Sequence, residues 1–440
     1  MIEYLEIVTI LRNFIWNGPT LFLLVITGLF LSFKLRFVQL RFLGHGFRTL
    51  FSLGVDKKDG QGDLSSFQAI MTAMAGAIGT GNITGIATAV IVGGYGAIFW
   101  MWVVAFFGMA TAYSETILGH HFRTFNDENE VCGGPMYTLS RGLGYKKLAI
   151  FFAICGSISA FGYAMVQSNS VVDAIVTIDP ELSRLVVGGV VMFATAIVVL
   201  GGIKVLGRVA AVLVPFMAFL YLIMGALILV SNFEMIPQAF KMIFIQAFTS
   251  EAAIGGAMGG GLLLAVQTGA QYGIFANEAG LGSYAISGAS SRANPVEQGI
   301  LSMTGVFIAT MLVCTMTGLV LAVTSDLVPK GLIGSPLAMA SFSSFHSSFR
   351  YVLLVGLILF AFTTILAWQY YGEKCTDFFL GQRVSVAYRI IFLGVVLLGA
   401  VLELDAVWTT AHLANGLMVI PNTISILLLA SIVKQKTEEF

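Results

Sequence analysis

The chain has 440 residues, of which 57% are hydrophobic and only 10% charged, with 23 basic and 23 acidic side chains and a formal net charge of zero. A soluble domain carries about 25% charged residues, so this composition excludes a soluble globule and predicts an all-α polytopic membrane protein whose main partner is the lipid bilayer. Zero net charge leaves no basic footprint for nucleic acid, and nothing marks an obligate protein partner.

Met1-Ile2-Glu3-Tyr4 lacks a basic leader region, so no removed signal peptide is expected. The stretch from Tyr4 to Trp16 mixes acids with aromatics and is expected to lie along the interface. Apolar segments long enough to span follow near Thr20–Phe37, Ser66–Val90, Ala97–His120, Leu148–Val176, Leu185–Ile203, Val209–Val230, Ala252–Ile286, Val296–Val323, Val352–Tyr371, Ile390–Leu404 and Val407–Val433. That predicts eleven transmembrane helices. With the N-terminus outside and the C-terminus cytoplasmic, every lysine and arginine except Arg12, Arg184, Lys241, Lys330 and Arg350 falls on the cytoplasmic side, as cytoplasmic loops prefer.

Setting the first helix aside leaves ten, which divide into two fives of opposite orientation. The expected organisation is residues 1–65 as interfacial segment, extra helix and cytoplasmic loop, 66–251 as the first five-helix repeat, and 252–440 as the second, inverted one. Each repeat opens on a glycine-interrupted segment. The second segment reads Ala75-Gly76-Ala77-Ile78-Gly79-Thr80-Gly81-Asn82, and the seventh carries Gly255 to Gly261 and then Gln267-Thr268-Gly269-Ala270-Gln271-Tyr272-Gly273-Ile274-Phe275-Ala276-Asn277-Glu278-Ala279-Gly280. Glycine lowers the cost of unwinding a helix, and irregular backbone at membrane depth survives only beside protein or a cavity. Paired interruptions at matching positions of inverted halves point to a transporter's binding site. The alternative is close helix packing, since Gly81 and Gly85 have GxxxG spacing. No GK[ST] follows either run, so a phosphate loop is not indicated, and without HExxH or GxSxG no hydrolytic machinery is visible. A channel would also use glycine-rich breaks, but a ring of repeated filter segments is missing. The four cysteines show no CxxC pair and read as packing residues.

The segment Gly93-Gly94-Tyr95-Gly96-Ala97-Ile98-Phe99-Trp100-Met101-Trp102, closing on Gly108-Met109, resembles the signature of the alanine/glycine:cation symporter family, the sodium:alanine symporters. Gly79-Thr80-Gly81-Asn82 and Asn277-Glu278-Ala279-Gly280-Leu281-Gly282 are similar to the family as well. The resemblance implies a LeuT-like fold with one extra N-terminal helix, and sodium-driven uptake of small neutral amino acids, alanine and glycine, across the cell membrane.

A zwitterion needs donors for its carboxylate, acceptors for its ammonium and an apolar pocket. The second segment's break offers Ala75, Gly76, Gly79, Thr80, Gly81 and Asn82, with free amides expected at Gly79 to Gly81 for the carboxylate. Carbonyls released near Gly269 to Gly273 are expected to face the ammonium. Gln167, Gln271, Tyr272, Ile274, Phe275 and Trp368 complete the expected pocket, with Tyr163 a further candidate. Glu115 and Glu278, near the inner ends of their segments, are expected to be satisfied by snorkelling or by pairing with Arg123 and Arg292, in an inner gate or structural role, and Asp173 to be interfacial. The resemblance implies a sodium ion, the coupling ion, held by carbonyls of Ala75 and Ile78 with the hydroxyls of Thr363 and Thr364. The competing reading of those hydroxyls is back-bonding to the preceding turn.

Overall fold

The computed structural model describes residues 2–52, 61–126, 130–249 and 261–440. They form a mostly helical bundle. The helices that position the site are α1 (Ile2–Ile15), α2 (Leu21–Lys34), α3 (Ser66–Ala77), α4 (Thr84–Gly93), α5 (Gly96–His121), α6 (Lys146–Ile178), α7 (Arg184–Val199), α8 (Gly202–Ser231), α9 (Ile236–Phe248), α10 (Gly261–Asn277), α11 (Ser283–Ala289), α12 (Pro295–Val306), α13 (Thr315–Val323), α14 (Phe349–Leu380), α15 (Ser385–Val401) and α16 (Leu404–Leu428), with shorter helices between and after them. Among the described residues eight helices are long and apolar enough to cross a membrane. Helices α4 and α7 are shorter apolar pieces. A two-stranded ribbon, Thr124–Phe125 with Val131–Cys132, pairs antiparallel between α5 and α6.

The boundary expected before Thr20 is absent. A π-helical turn, Trp16–Thr20, carries α1 straight into α2, and the pair forms one 29-residue apolar helix from Glu6 to Lys34. Two bonds fasten that turn to α16: Trp16 Nε1 donates to the His412 carbonyl at 2.8 Å, and Thr20 Oγ1 to the Gly416 carbonyl at 3.0 Å.

The interior is built by the long helices α5, α6 and α14 around the two interrupted ones. Small residues set the close approaches. A Cβ on Gly372 of α14 would sit 2.6 Å from Ala160 Cβ of α6, and one on Gly156 of α6 would sit 2.7 Å from Cys375 Sγ of α14. Helices α7, α8 and α15 turn large apolar side chains such as Phe193, Phe219 and Ile390 outward, each more than 60% exposed, as lipid-facing helices do.

α3 begins with a capping box, in which Ser65 Oγ accepts from the Gln68 amide at 3.2 Å and Gln68 Oε1 from the Ser65 amide at 3.1 Å. It ends at Ala77, and the chain runs through extended Gly79 and a 3₁₀ turn, Thr80–Asn82, before α4. The second interruption lies further along than the glycines suggested. α10 stays helical through Gly269 and Gly273 to Asn277, and the chain unwinds only at Glu278 to Gly282, where Glu278, Gly280 and Gly282 all have positive φ. Gly269 and Gly273 instead pack on α5: a Cβ on Gly269 would lie 2.6 Å from the Ala97 carbonyl oxygen, and one on Gly273 3.4 Å from Met101 Cγ. The packing reading therefore holds for these two glycines, and no carbonyls are released there. The run Gly255 to Gly260 lies outside the described residues.

At one end of the bundle the two interrupted helices are tied together. Leu64, just before α3, bridges Ser291, just after α11, and the Arg292 amide donates to the Leu64 carbonyl at 3.1 Å. Arg123 clamps the joint with bonds of 2.8 Å to the carbonyls of Gln61, Ala289 and Ser291.

Candidate functional site: the interrupted helices and the aromatic stack between them

In an unbroken helix the amides of Gly79 and Thr80 would close on the carbonyls of Ala75 and Gly76. Here side chains take both: the Gly79 amide donates to Asn82 Oδ1 and the Thr80 amide to Gln167 Oε1, each at 2.9 Å. The freed carbonyls turn toward α14. Thr364 Oγ1 donates to the Ala75 carbonyl at 2.7 Å and lies 3.5 Å from the carbonyls of Gly76 and Ile78. Four oxygens from two elements thus converge at the break, the kind of donor set a hard monovalent cation requires. A Cβ on Gly79 would sit 2.6 Å from Thr364 Oγ1 and 3.0 Å from Gln167 Nε2, so no larger residue fits.

Asn82 holds the break to its surroundings. Its amide nitrogen donates at 3.1 Å to the carbonyls of Ala276 and Ala309, and its own carbonyl accepts from Thr317 at 2.6 Å. Thr80 Oγ1 and Gln167 Nε2 are fully buried with no partner among the described residues. Two orphaned donors beside a break suit an acceptor such as a carboxylate.

The apolar wall is a stack of three rings. Tyr163 of α6 lies parallel to Trp368 of α14, centroids 3.7 Å apart, and to Phe275 of α10 at 4.1 Å. The Tyr163 hydroxyl donates to the Phe275 carbonyl at 3.0 Å, locking the stack to the end of α10. Phe275 presses on the break itself, since a Cβ on Gly81 would lie 2.7 Å from its ring.

The structure brings together Ala75, Gly76, Ile78, Gly79, Thr80, Gly81, Asn82, Gln167, Phe275, Trp368 and Thr364. Tyr272 sits one turn away against Gly85 and Trp408, Ile274 ends α10 by accepting from the Glu278 amide, and Gln271 lies on that helix's partly exposed face. Thr363 faces away: its hydroxyl bonds back to the carbonyls of Leu359 at 3.0 Å and Phe360 at 3.2 Å, with Met217 Sδ beside it. Thr363 therefore follows the back-bonding reading, whereas Thr364 bonds across to the break.

The expected pairing of the buried acids with arginine is not found. Glu278 Oε1 accepts from Trp368 Nε1, and Glu115 Oε2 accepts from Asn422 Nδ2 at 2.7 Å and the Gly282 amide at 3.1 Å. Arg123 and Arg292 bond backbone carbonyls instead, and Arg123 also meets His120 Nε2 at 2.8 Å. Asp173 pairs with Arg184 at 3.4 Å at the other end of α6. Sequence reasoning missed the face of α16 formed by Trp408, His412 and Asn415, which stacks on Tyr272 and Phe275 and reaches the Tyr163 hydroxyl. Their i, i+4, i+7 spacing was the available signal.

The model of the sodium:alanine symporter family matches residues 1–440. The sodium/alanine symporter AgcS of Methanococcus maripaludis is 43% identical over 450 aligned residues, covering all of this chain and 97% of that protein. A Bacillus subtilis protein described as a probable sodium/glutamine symporter, GlnT, is 34% identical over 97% of this chain and 89% of its own. Among solved structures, MhsT in complex with L-phenylalanine superposes with a TM-score of 0.60 over 86% of this chain and 99% of MhsT at 12% identity, which identifies the LeuT fold.

Proposed function

The chain belongs to the sodium:alanine symporter family and is a sodium-coupled amino-acid symporter rather than an enzyme, and on that premise we propose that it carries small neutral amino acids, alanine and glycine, into the cell by alternating access. Eleven spans, a first helix followed by two inverted fives, match the number of the eight long helices, α7 and the two interrupted ones, while the expected start of the second five at residue 252 lies outside the described residues. Loop charge supports an outside N-terminus and a cytoplasmic C-terminus.

The observation that carries the substrate reading is the crowding of the break. Gly76, Gly79 and Gly81 each have a side chain of another element within 3.0 Å of where a Cβ would stand, so the break is closely packed and favours a small substrate beside it. The substrate carboxylate takes the Thr80 amide now held by the Gln167 carboxamide oxygen, and that side chain turns its orphaned Nε2 toward it. Sodium sits among the carbonyls of Ala75 and Ile78 and the Thr364 hydroxyl, joining α3 to α14. Because those elements separate in alternating access, ion occupancy favours the state in which they touch.

A competition panel of the twenty amino acids with alaninamide against labelled alanine, in vesicles under a sodium gradient, tests this. Glycine, alanine and serine should compete while leucine, phenylalanine and alaninamide do not. Equal competition by alaninamide would place the carboxylate elsewhere.

A further inference from the structure

Below the break, on the side assigned above to the cytoplasm, buried polar atoms gather where three elements meet. Glu278 stands in the unwound turn with φ +58°, a left-handed conformation that is costly for any side chain but glycine, asparagine or aspartate. Its side chain is fully buried, and Oε2 finds no partner in good hydrogen-bond geometry among the described residues, with the Ser283 hydroxyl as its polar neighbour. Both its oxygens face α3, 3.0 Å from where a Cβ on Gly76 would stand. One turn below Gly76 on the same face is Thr72, whose hydroxyl is likewise buried and unpartnered.

The seam continues between α11 and α12. Tyr284 of α11 packs its ring at 3.4 Å against the Cβ position of Gly305 of α12, where Ile70 and Met74 of α3 also meet it, and its hydroxyl has no partner among the described residues. Ser302 and Gln298 lie three and seven residues before Gly305, on the same face of α12, and a Cβ on Gly288 of α11 would be 3.5 Å from Gln298 Cγ. The Ser302 hydroxyl and both polar atoms of the Gln298 carboxamide are buried without partners as well. Gly288 and Gln298 stand three residues before Ser291 and four after Asn294, so the seam ends near the joint that closes this end of the bundle.

A buried polar atom left unsatisfied is destabilising, so a row of them running from the break toward one end needs a function. All but one are oxygens, and they begin at a carboxylate with no basic side chain bonded to it. Oxygen donors suit a small hard cation, and they offer no apolar surface to an amino-acid side chain. We propose that the seam between α3, α11 and α12, lined by Glu278, Thr72, Tyr284, Ser302 and Gln298, is a release path that takes the coupling cation from the break to the cytoplasm separately from the amino acid. Glu278 is its first station, beside Gly76 and one residue from Ala75. The path rests on the sodium placement proposed above.

Reconstituted full-length protein separates the two routes. Net alanine uptake requires the cation to leave inside, whereas exchange of labelled for unlabelled alanine at equal saturating sodium does not. Ser302→Val and Gln298→Leu should lower net sodium-driven uptake at least tenfold while exchange stays within twofold of wild type. Retained exchange also shows that each variant is folded. Net uptake at the wild-type rate in both variants overturns the proposal. So does a parallel fall of uptake and exchange in variants that sodium still stabilises against heat, because the two cargoes then share one route. If wild type itself exchanges alanine without sodium, the coupling reading fails rather than the path.

Discussion

Thr363 and Thr364 are adjacent in sequence and separated in role by 100° of helix. Thr364 reaches across to the carbonyl of Ala75, while Thr363 bonds back to its own helix. Thr364→Ala should therefore raise the sodium concentration for half-maximal alanine uptake by about tenfold, about 1.4 kcal/mol, and Thr363→Ala should leave it within twofold. Equal effects of the two substitutions in a sodium titration would contradict the placement. Gly79 gives a sharper steric test. Its φ of −124° is open to any residue, but a Cβ there would collide with the Thr364 hydroxyl. Gly79→Ala should abolish sodium-stimulated uptake while the protein still reaches the membrane, and wild-type uptake would show that the break is looser than described. Trp368, stacked on Tyr163 and bonded to Glu278, is the side chain whose removal opens most space. Trp368→Leu should admit valine or leucine as competitors, and an unchanged competition profile would remove it from the pocket.

At the scale of elements, the first interruption was legible because four glycines within ten residues leave no reason for a helix to continue, and it unwinds at Ile78 to Ile83 as expected. The second was misplaced by the same rule. Gly269 and Gly273 look like breaks but serve contact with α5, whereas the true break falls at Glu278, a residue no propensity argument would choose for positive φ. Long-range partners such as Gln167 on the Thr80 amide, or Asn422 on Glu115, have no signature in sequence because they depend on how the helices are rotated. The segment between α5 and α6 adds a clamp, in which Lys374 Nζ meets Glu130 Oε2 at 2.8 Å. Burial pushes the Glu130 carboxyl up, but the bond from Lys374 and its positive charge outweigh that and hold it below the ordinary carboxylate value. A depressed value means the stabilisation is present above the usual 4.5 and is lost as pH falls through the lowered one. The thermal stability gap between wild type and Glu130→Gln should thus be constant from about pH 8 to about pH 5 and close below it. A gap that persists at about pH 3 would show that the carboxylate is not what the clamp depends on.

For the whole molecule, composition alone set the class, and the hydropathy pattern located every long helix among the described residues, while the N-terminal segment merged into its first span. Leu64, Ser291, Arg292 and Arg123 join the two interrupted helices at a single end. The most direct measurement is alanine accumulation by the purified protein in sealed vesicles, with sodium imposed outside, equal on both sides, or replaced by potassium. Accumulation above the external concentration only under the inward sodium gradient is the predicted result. Equilibration without accumulation, or accumulation that is the same in potassium, would contradict the account.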